Sequence, residues 1–312
     1  MNPPNLYIAG LPRSGTSSMH TYLGRHPDIY MTPIKEPNFF CRDFQEESDA
    51  FHGKPLYFPY RSLDRYMDLY RGWSGETVAG EASWTNLCSK TAAAGIHGLN
   101  PEAKVLILLR EPVSFLYSFH AAATFALGEH ITDFEAALEA EALRKQGREL
   151  DKRVITPSWL HYREFVAYAD HVDRYFKLFP RDQIKVVLFD DLAGNTERVF
   201  SDTLAFLGVD ADFRPNFNVV NPNKILKWPR LKRLVLDSPY FRRVLRWAFR
   251  DNGYAALKNL YKNRIVSYRP RPPMPEALKD RLMREFSGEV ERISRLLGVD
   301  LVRRWGYDQV IG

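Results

Sequence analysis

The chain has 312 residues, 45% hydrophobic and 13% aromatic, enough for one large α/β domain with a sizeable core. Its two cysteines, Cys41 and Cys88, exclude a disulfide framework and lack metal-ligand spacing, and no apolar run approaches the roughly 18 residues of a membrane span, so a reducing, cytoplasmic setting is expected. The net charge of +6 is unevenly spread: Pro222 to Arg271 holds 14 Lys and Arg against two Asp, which points to an anionic ligand or surface, or to a solvated basic helix face.

In chain order, "NLYIAG" (5–10) reads as a buried strand and "TSSMHTYLGRHP" (16–27) as a helix ended near Gly24. An aromatic, weakly periodic stretch (42–75) reads as an insertion with short helices. "KVLILLR" (104–110) is a second strand, followed by the helix "EPVSFLYSFHAAATFAL" (111–127), whose Pro112 suits a first turn because its missing N–H costs nothing there. Helical segments are expected at 133–146 and 158–179. "IKVVLFDDL" (184–192) is a third strand and leads into the helix "NTERVFSDTLAFLG". Two basic amphipathic helices fit 231–249, "YRPRPPMP" (268–275) reads as a stiff extended linker, and 276–298 reads as an amphipathic closing helix ended at Gly298. Strands alternating with helices predict a central parallel sheet covered on both faces, with no internal repeat and no independent second domain.

Two stretches carry chemistry. In "IAGLPRSGTSSM" (8–19), Gly10 and Gly15 stand five apart, as in the nucleotide loop G-x-x-x-x-G-K-[ST], but the lysine slot holds Thr16. The nearest cation is Arg13, inside the loop. Backbone N–H groups of Ser14, Gly15, Thr16 and Ser17 at a helix N-terminus, with Arg13 and the hydroxyls of Thr16 and Ser17, suit a terminal phosphate or a sulfuryl group better than a β/γ-phosphate pair. In "LLREPVSFLYSFH" (108–120), Arg110 ends a strand at the ligand edge of the sheet and Ser118 follows eight residues later; the guanidinium fork suits a bidentate phosphate contact.

These residues together resemble the sulfotransferases that use 3′-phosphoadenosine 5′-phosphosulfate (PAPS), which have a P-loop nucleoside-triphosphate-hydrolase-like fold. "LPRSGTSSM" is similar to their 5′-phosphosulfate loop, and "LREPVSFLYSF" to their R-x-P-x-x-x-x-x-S element for the 3′-phosphate. "KEPNFF" (35–40) resembles the K-E-x-x-F-F segment of the heparan-sulfate type, "GEASWTNL" (80–87) resembles G-E-A-S-P-x-Y-L, and 168–192 resembles the helix and strand before the family's closing region. The likeness runs from about residue 5 to 305. It implies PAPS as donor with no metal required, Arg13 as the loop cation where many members have lysine, and Glu36 as catalytic base. It also implies Tyr162 near the cofactor and Lys224 or Lys227 at the 3′-phosphate; from their places in the chain, Lys35, Glu81 and Trp84 are candidates for the acceptor side, and His120 for a structural or acceptor-side role. His120 is the rival base, although it lies about 200° round the helix from Ser118. Heparan-type members tend to have Lys in place of Ala82 and Pro in place of Trp84, so the acceptor stays open among carbohydrate, glycolipid and small metabolite. The basic stripe is either two core-facing helices with basic outer faces or a surface that meets an anionic membrane. Two other readings fit less: a kinase with Asp190 or Asp191 on Mg²⁺, which lacks the lysine at 16, and a nucleic-acid binder, which lacks a stacking motif.

Overall fold

The computed structural model describes residues 2–217, 224–226, 266–268 and 272–311. Five parallel strands, β1 (Leu6–Gly10), β2 (Ile29–Met31), β3 (Val78–Ala82), β4 (Lys104–Leu109) and β5 (Ile184–Leu188), form one sheet in the order β2-β3-β1-β4-β5. The strands β1 and β4 read as unbroken apolar runs because both sheet faces are covered. Tyr7, Ala9, Val105, Ile107 and Leu109 enter one buried cluster, while Leu6, Ile8, Leu106 and Leu108 enter the cluster on the opposite face. Each such aliphatic side chain contributes about 1.5–3 kcal/mol on burial.

The helix Thr16–Leu23 follows β1, and Pro112–Ala126 follows β4. The latter starts where the sequence predicts, with Pro112 in the first turn and the Glu111 carboxylate accepting from the N–H groups of Val113 (2.9 Å) and Ser114 (2.6 Å). The helix Glu276–Leu297 buries Leu278, Leu282, Phe286, Val290 and Ile293, one stripe at helical spacing, against the helices Pro112–Ala126 and Tyr168–Phe176. It stops at Gly298 in the left-handed conformation (φ 68°).

Three expectations change. The strand β2 has no sequence expectation, since three residues carry little periodic signal, and Glu81, expected just after a strand, lies inside β3. The segment 184–192 is a strand only to Leu188, because a helix begins at Phe189 (Phe189–Gly194). The segment 158–179 starts as two 3₁₀ turns, Pro157–Leu160 and Tyr162–Val166, before the helix Tyr168–Phe176. Trp159, Leu160, Tyr162, Phe165 and Val166 are all buried, and one helical stripe could not bury five such closely spaced side chains. The expected helix at 133–146 forms as Phe134–Glu139 and Glu141–Arg144.

The chain divides into two compact units, Met1–Val220 with Met274–Gly312, and Asn221–Pro273. In the second, Lys224–Leu226 and Val266–Tyr268 pair as a two-stranded antiparallel ladder. The basic helices expected at 231–249 lie outside the described residues. No helix among the described residues is long and apolar enough to cross a membrane.

Candidate active site

The loop between β1 and the helix Thr16–Leu23 turns through two left-handed residues, Arg13 (φ 66°) and Gly15 (φ 94°). Glycine at 15 answers to geometry twice over: its φ disfavours any L side chain, and a Cβ there would lie 2.4 Å from Leu192 Cδ2. Arg13 holds a conformation that costs a non-glycine residue about 1–2 kcal/mol. Gly15 caps the helix without any side-chain acceptor, so the first-turn N–H groups are aimed out of the helix with its dipole behind them. Ser14 is fully buried, and its Oγ has no hydrogen-bond partner among the described residues. Such an orphaned donor in a loop of converging N–H groups fits an anionic ligand.

The strands β1 and β4 are neighbours, so this loop and the start of the helix Pro112–Ala126 emerge side by side. Arg13 Nε donates to Ser118 Oγ (3.1 Å), and an Arg110 guanidinium nitrogen donates to the Arg13 carbonyl (3.1 Å). Arg110 also lies over the Phe189 ring, 4.5 Å from its centroid, and its own carbonyl accepts from the Tyr168 hydroxyl (2.9 Å). Burial, then the neighbouring Arg13 guanidinium, pull the pKa of Arg110 below the usual range, against the pull of Glu111 and Asp190. Burial does the same to Arg13. Two partly desolvated like charges held together make a site that favours an anion.

A third group sits at the adjoining end of β3. Glu36, left-handed at φ 63°, donates its N–H to the Ala82 carbonyl (2.9 Å) and receives Lys35 Nζ on Oε1 (2.6 Å), with its side chain 39% exposed. Asn38, also left-handed (φ 54°), donates its side-chain amide to the Glu36 carbonyl (2.9 Å) and its backbone N–H to Ser83 Oγ (3.1 Å). Ser83 in turn donates to Glu81 Oε2 (2.8 Å), and the Asn86 amide donates to Glu81 Oε1 (2.8 Å). A chain of hydrogen bonds thus runs from the buried Glu81 to the backbone that carries Glu36. His20, one turn past Thr16, adds its ring to this side. Its Nε2 is 3.1 Å from the Thr32 carbonyl, and burial and then the charge of Lys35 lower its pKa.

The sequence profile of the sulfotransferase family matches residues 4–213, a span that includes the loop, Glu36, Arg110 and Ser118. The chain belongs to the sulfotransferase family. Over 97% of its length it superposes on a solved sulfotransferase from Alicyclobacillus acidocaldarius, 30% identical, with 99% of that chain covered and a TM-score of 0.68. It is 24% identical over 307 residues to the mouse heparan sulfate glucosamine 3-O-sulfotransferase 6, covering 95% of this chain and 72% of that protein. It is 26% identical over 284 residues to the mouse bifunctional heparan sulfate N-deacetylase/N-sulfotransferase 1, covering 83% of this chain but only 30% of that protein. The sulfotransferase thus spans under a third of the bifunctional relatives and most of the 3-O-sulfotransferase. The parallel sheet with its β1 loop is the P-loop-like sulfotransferase fold expected from the sequence.

Three residues assigned to the site by sequence lie elsewhere in the sulfotransferase. Trp84 is buried among Trp159 (ring centroids 5.0 Å), Phe165 and Phe119, so its face is spent on packing rather than on an acceptor. His120 is buried with Nε2 2.9 Å from the Ile131 carbonyl, beside Phe134 and Tyr162, which argues against its role as rival base. Tyr162 is fully buried and donates its hydroxyl to Glu129 Oε2 (2.6 Å), itself in a buried ion pair with Arg144 (2.9 Å). Its function is to satisfy that pair. Lys227 and the side chain of Lys224 lie outside the described residues. Asp190 and Asp191, the carboxylates a kinase reading would use, accept from Trp305 Nε1 (2.9 Å) and pair with Arg304. Among the described residues no three His, Cys, Asp or Glu side chains converge as metal ligands.

Glu81 is also not an exposed acceptor contact. It is fully buried, and that burial, opposed by Ser83, Asn86 and Lys35, raises its pKa to about 7. With the folded value above the unfolded one, its contribution to stability is fully present below the unfolded pKa and is lost as pH rises through 7. Glu81→Gln is therefore expected to flatten the fall in stability between pH 5 and 8. Above pH 7 the variant should gain up to on the order of 3 kcal/mol over wild type. Urea midpoints measured across that range check this; parallel curves for the two proteins would contradict it.

Proposed function

We propose that this sulfotransferase takes its sulfuryl group from PAPS and passes it in line to a hydroxyl or amine of a carbohydrate, glycolipid or small metabolite, with Glu36 as base. The observation that carries the reading is the contact of Arg13 with both Ser118 and Arg110, which makes one continuous anion site of two separate sequence elements. The residues fit the cofactor: among the described residues the Ser14 hydroxyl lacks a partner, the helix start lacks a side-chain cap, and two half-buried guanidiniums adjoin. When bound, PAPS supplies the sulfuryl group and a bisphosphate leaving group. Arg13 and the N–H groups of Gly15, Thr16 and Ser17 hold the 5′-phosphosulfate and stabilise charge gathering on its bridging oxygen. Arg110 binds the 3′-phosphate, joined by Ser118, whose own proton is not used in its bond from Arg13. Glu36 accepts the acceptor's proton while Lys35 holds one of its oxygens. The relatives named for glucosamine 3-O-sulfation and N-sulfation favour a sugar hydroxyl or amine as acceptor.

Calorimetry with adenosine 3′,5′-bisphosphate and 5′-AMP tests the reading. The bisphosphate is expected to bind about 10- to 100-fold more tightly, the worth of one charge-assisted contact. Arg110→Ala and Ser118→Ala should erode that preference. Equal binding of the two nucleotides by the wild type would overturn the assignment.

A further inference from the structure

Arg110 carries a hazard in its own sequence. Its neighbour Glu111, and Asp190 next to the Phe189 ring on which it rests, are carboxylates close enough to pull on its charge. A guanidinium between two free carboxylates would pair with them and be a poor site for a phosphate. In this structure neither carboxylate is left free. Glu111 Oε1 accepts from the Tyr307 hydroxyl (2.7 Å) while its oxygens also cap the helix Pro112–Ala126, and Asp190 Oδ2 accepts from the Trp305 indole (2.9 Å). Both donors come from one three-residue turn near the end of the chain. Gly306 is left-handed (φ 75°), and the Tyr307 N–H closes the turn on the Val302 carbonyl (2.8 Å). Arg304 adds an ion pair to Asp191. Trp305 and Tyr307 are themselves largely buried. Among the described residues no ion pair joins Arg110 to any carboxylate.

We propose that Trp305 and Tyr307 form a clasp that keeps Glu111 and Asp190 off Arg110, and so are positioning residues for the phosphate that Arg110 binds. The inference rests on the assignment of Arg110 to the 3′-phosphate. The clasp acts by occupying the two acceptors that compete with the phosphate. Its loss lets a carboxylate turn to Arg110, and a phosphate must then displace that carboxylate to bind.

The test is calorimetric affinity for adenosine 3′,5′-bisphosphate and for 5′-AMP in Trp305→Phe and Tyr307→Phe, with the full chain. Each variant is expected to lose roughly threefold to tenfold in affinity for the bisphosphate, with little change for 5′-AMP, the cost of an altered hydrogen bond to a charged group. Adding Asp190→Asn to Trp305→Phe should restore the preference, because the competing charge is gone. A merely structural role would weaken both nucleotides together, without rescue by Asp190→Asn, and either result overturns the clasp. Tyr307→Phe removes one oxygen only, so it covers the case in which Trp305→Phe folds poorly. Arg110→Ala runs alongside. If it leaves the preference intact, the phosphate assignment is wrong and the clasp falls with it. If it erases the preference while both aromatic variants keep it, the clasp alone is overturned.

Discussion

Replacing Glu36 with glutamine is expected to lower turnover by about 10²- to 10⁴-fold, the usual worth of a positioned general base, while binding of adenosine 3′,5′-bisphosphate is unchanged. Glutamine matches the shape of glutamate and keeps the Glu36 N–H bond to Ala82 and the Asn38 bond to the Glu36 carbonyl, both of which are backbone contacts. What it loses is the capacity to take a proton and the charge that engages Lys35. Transfer from PAPS to whichever member of a glucosamine-containing glycan panel the wild type accepts measures the first effect, and calorimetry the second. A variant that keeps half its activity would move the base elsewhere. Besides Lys35, His20 and Glu81 are titratable groups that feel the charge of Glu36.

Arg13→Ala is expected to cost about 10²–10³ in kcat, the range seen when one preorganised donor to a developing negative charge is removed. The guanidinium is partly desolvated, anchored on Ser118 and carried on a left-handed backbone, so its charge is in place before any ligand arrives. Arg13→Lys restores the charge without the planar fork and should recover much of the loss, since the contribution assigned to residue 13 is electrostatic. Steady-state kcat and KM for the three proteins separate the outcomes. If kcat is unchanged and only KM rises in Arg13→Ala, the residue binds the ground state and does not stabilise the transition state.

The positions of these two groups differ in how legible they are. Arg13 sits in a loop whose glycine, strand before and helix after lie within about fifteen residues, so its setting could be read directly. Glu36 carries no local signal of its own beyond Lys35, and its place rested on likeness to K-E-x-x-F-F. The three misplaced residues share one cause. Trp84, His120 and Tyr162 are all large side chains with an apolar body, and the core takes all three inward whatever their place relative to the motifs. His20 is the reverse case. Its position four residues after Thr16 puts it on the same face of a helix that starts at the anion loop, a spacing that could have flagged it.

By itself the sequence determined the glycine turn after β1, the helix start after β4 and the two strands beneath them. Each depends on backbone geometry encoded within a dozen residues: a left-handed glycine at a strand–helix turn, or a proline and an acidic cap at a helix start. Only the tertiary structure decided that the two elements lie side by side, because that follows from β1 and β4 being hydrogen-bonded neighbours although nearly a hundred residues apart. It also decided the path from Glu81 through Ser83 and Asn38 to Glu36, and the hydrogen bonds from Trp305 and Tyr307 to the carboxylates beside Arg110. Hydrogen bonds between distant segments depend on which side chains packing brings within about 3 Å, and no local pattern in a chain records that distance.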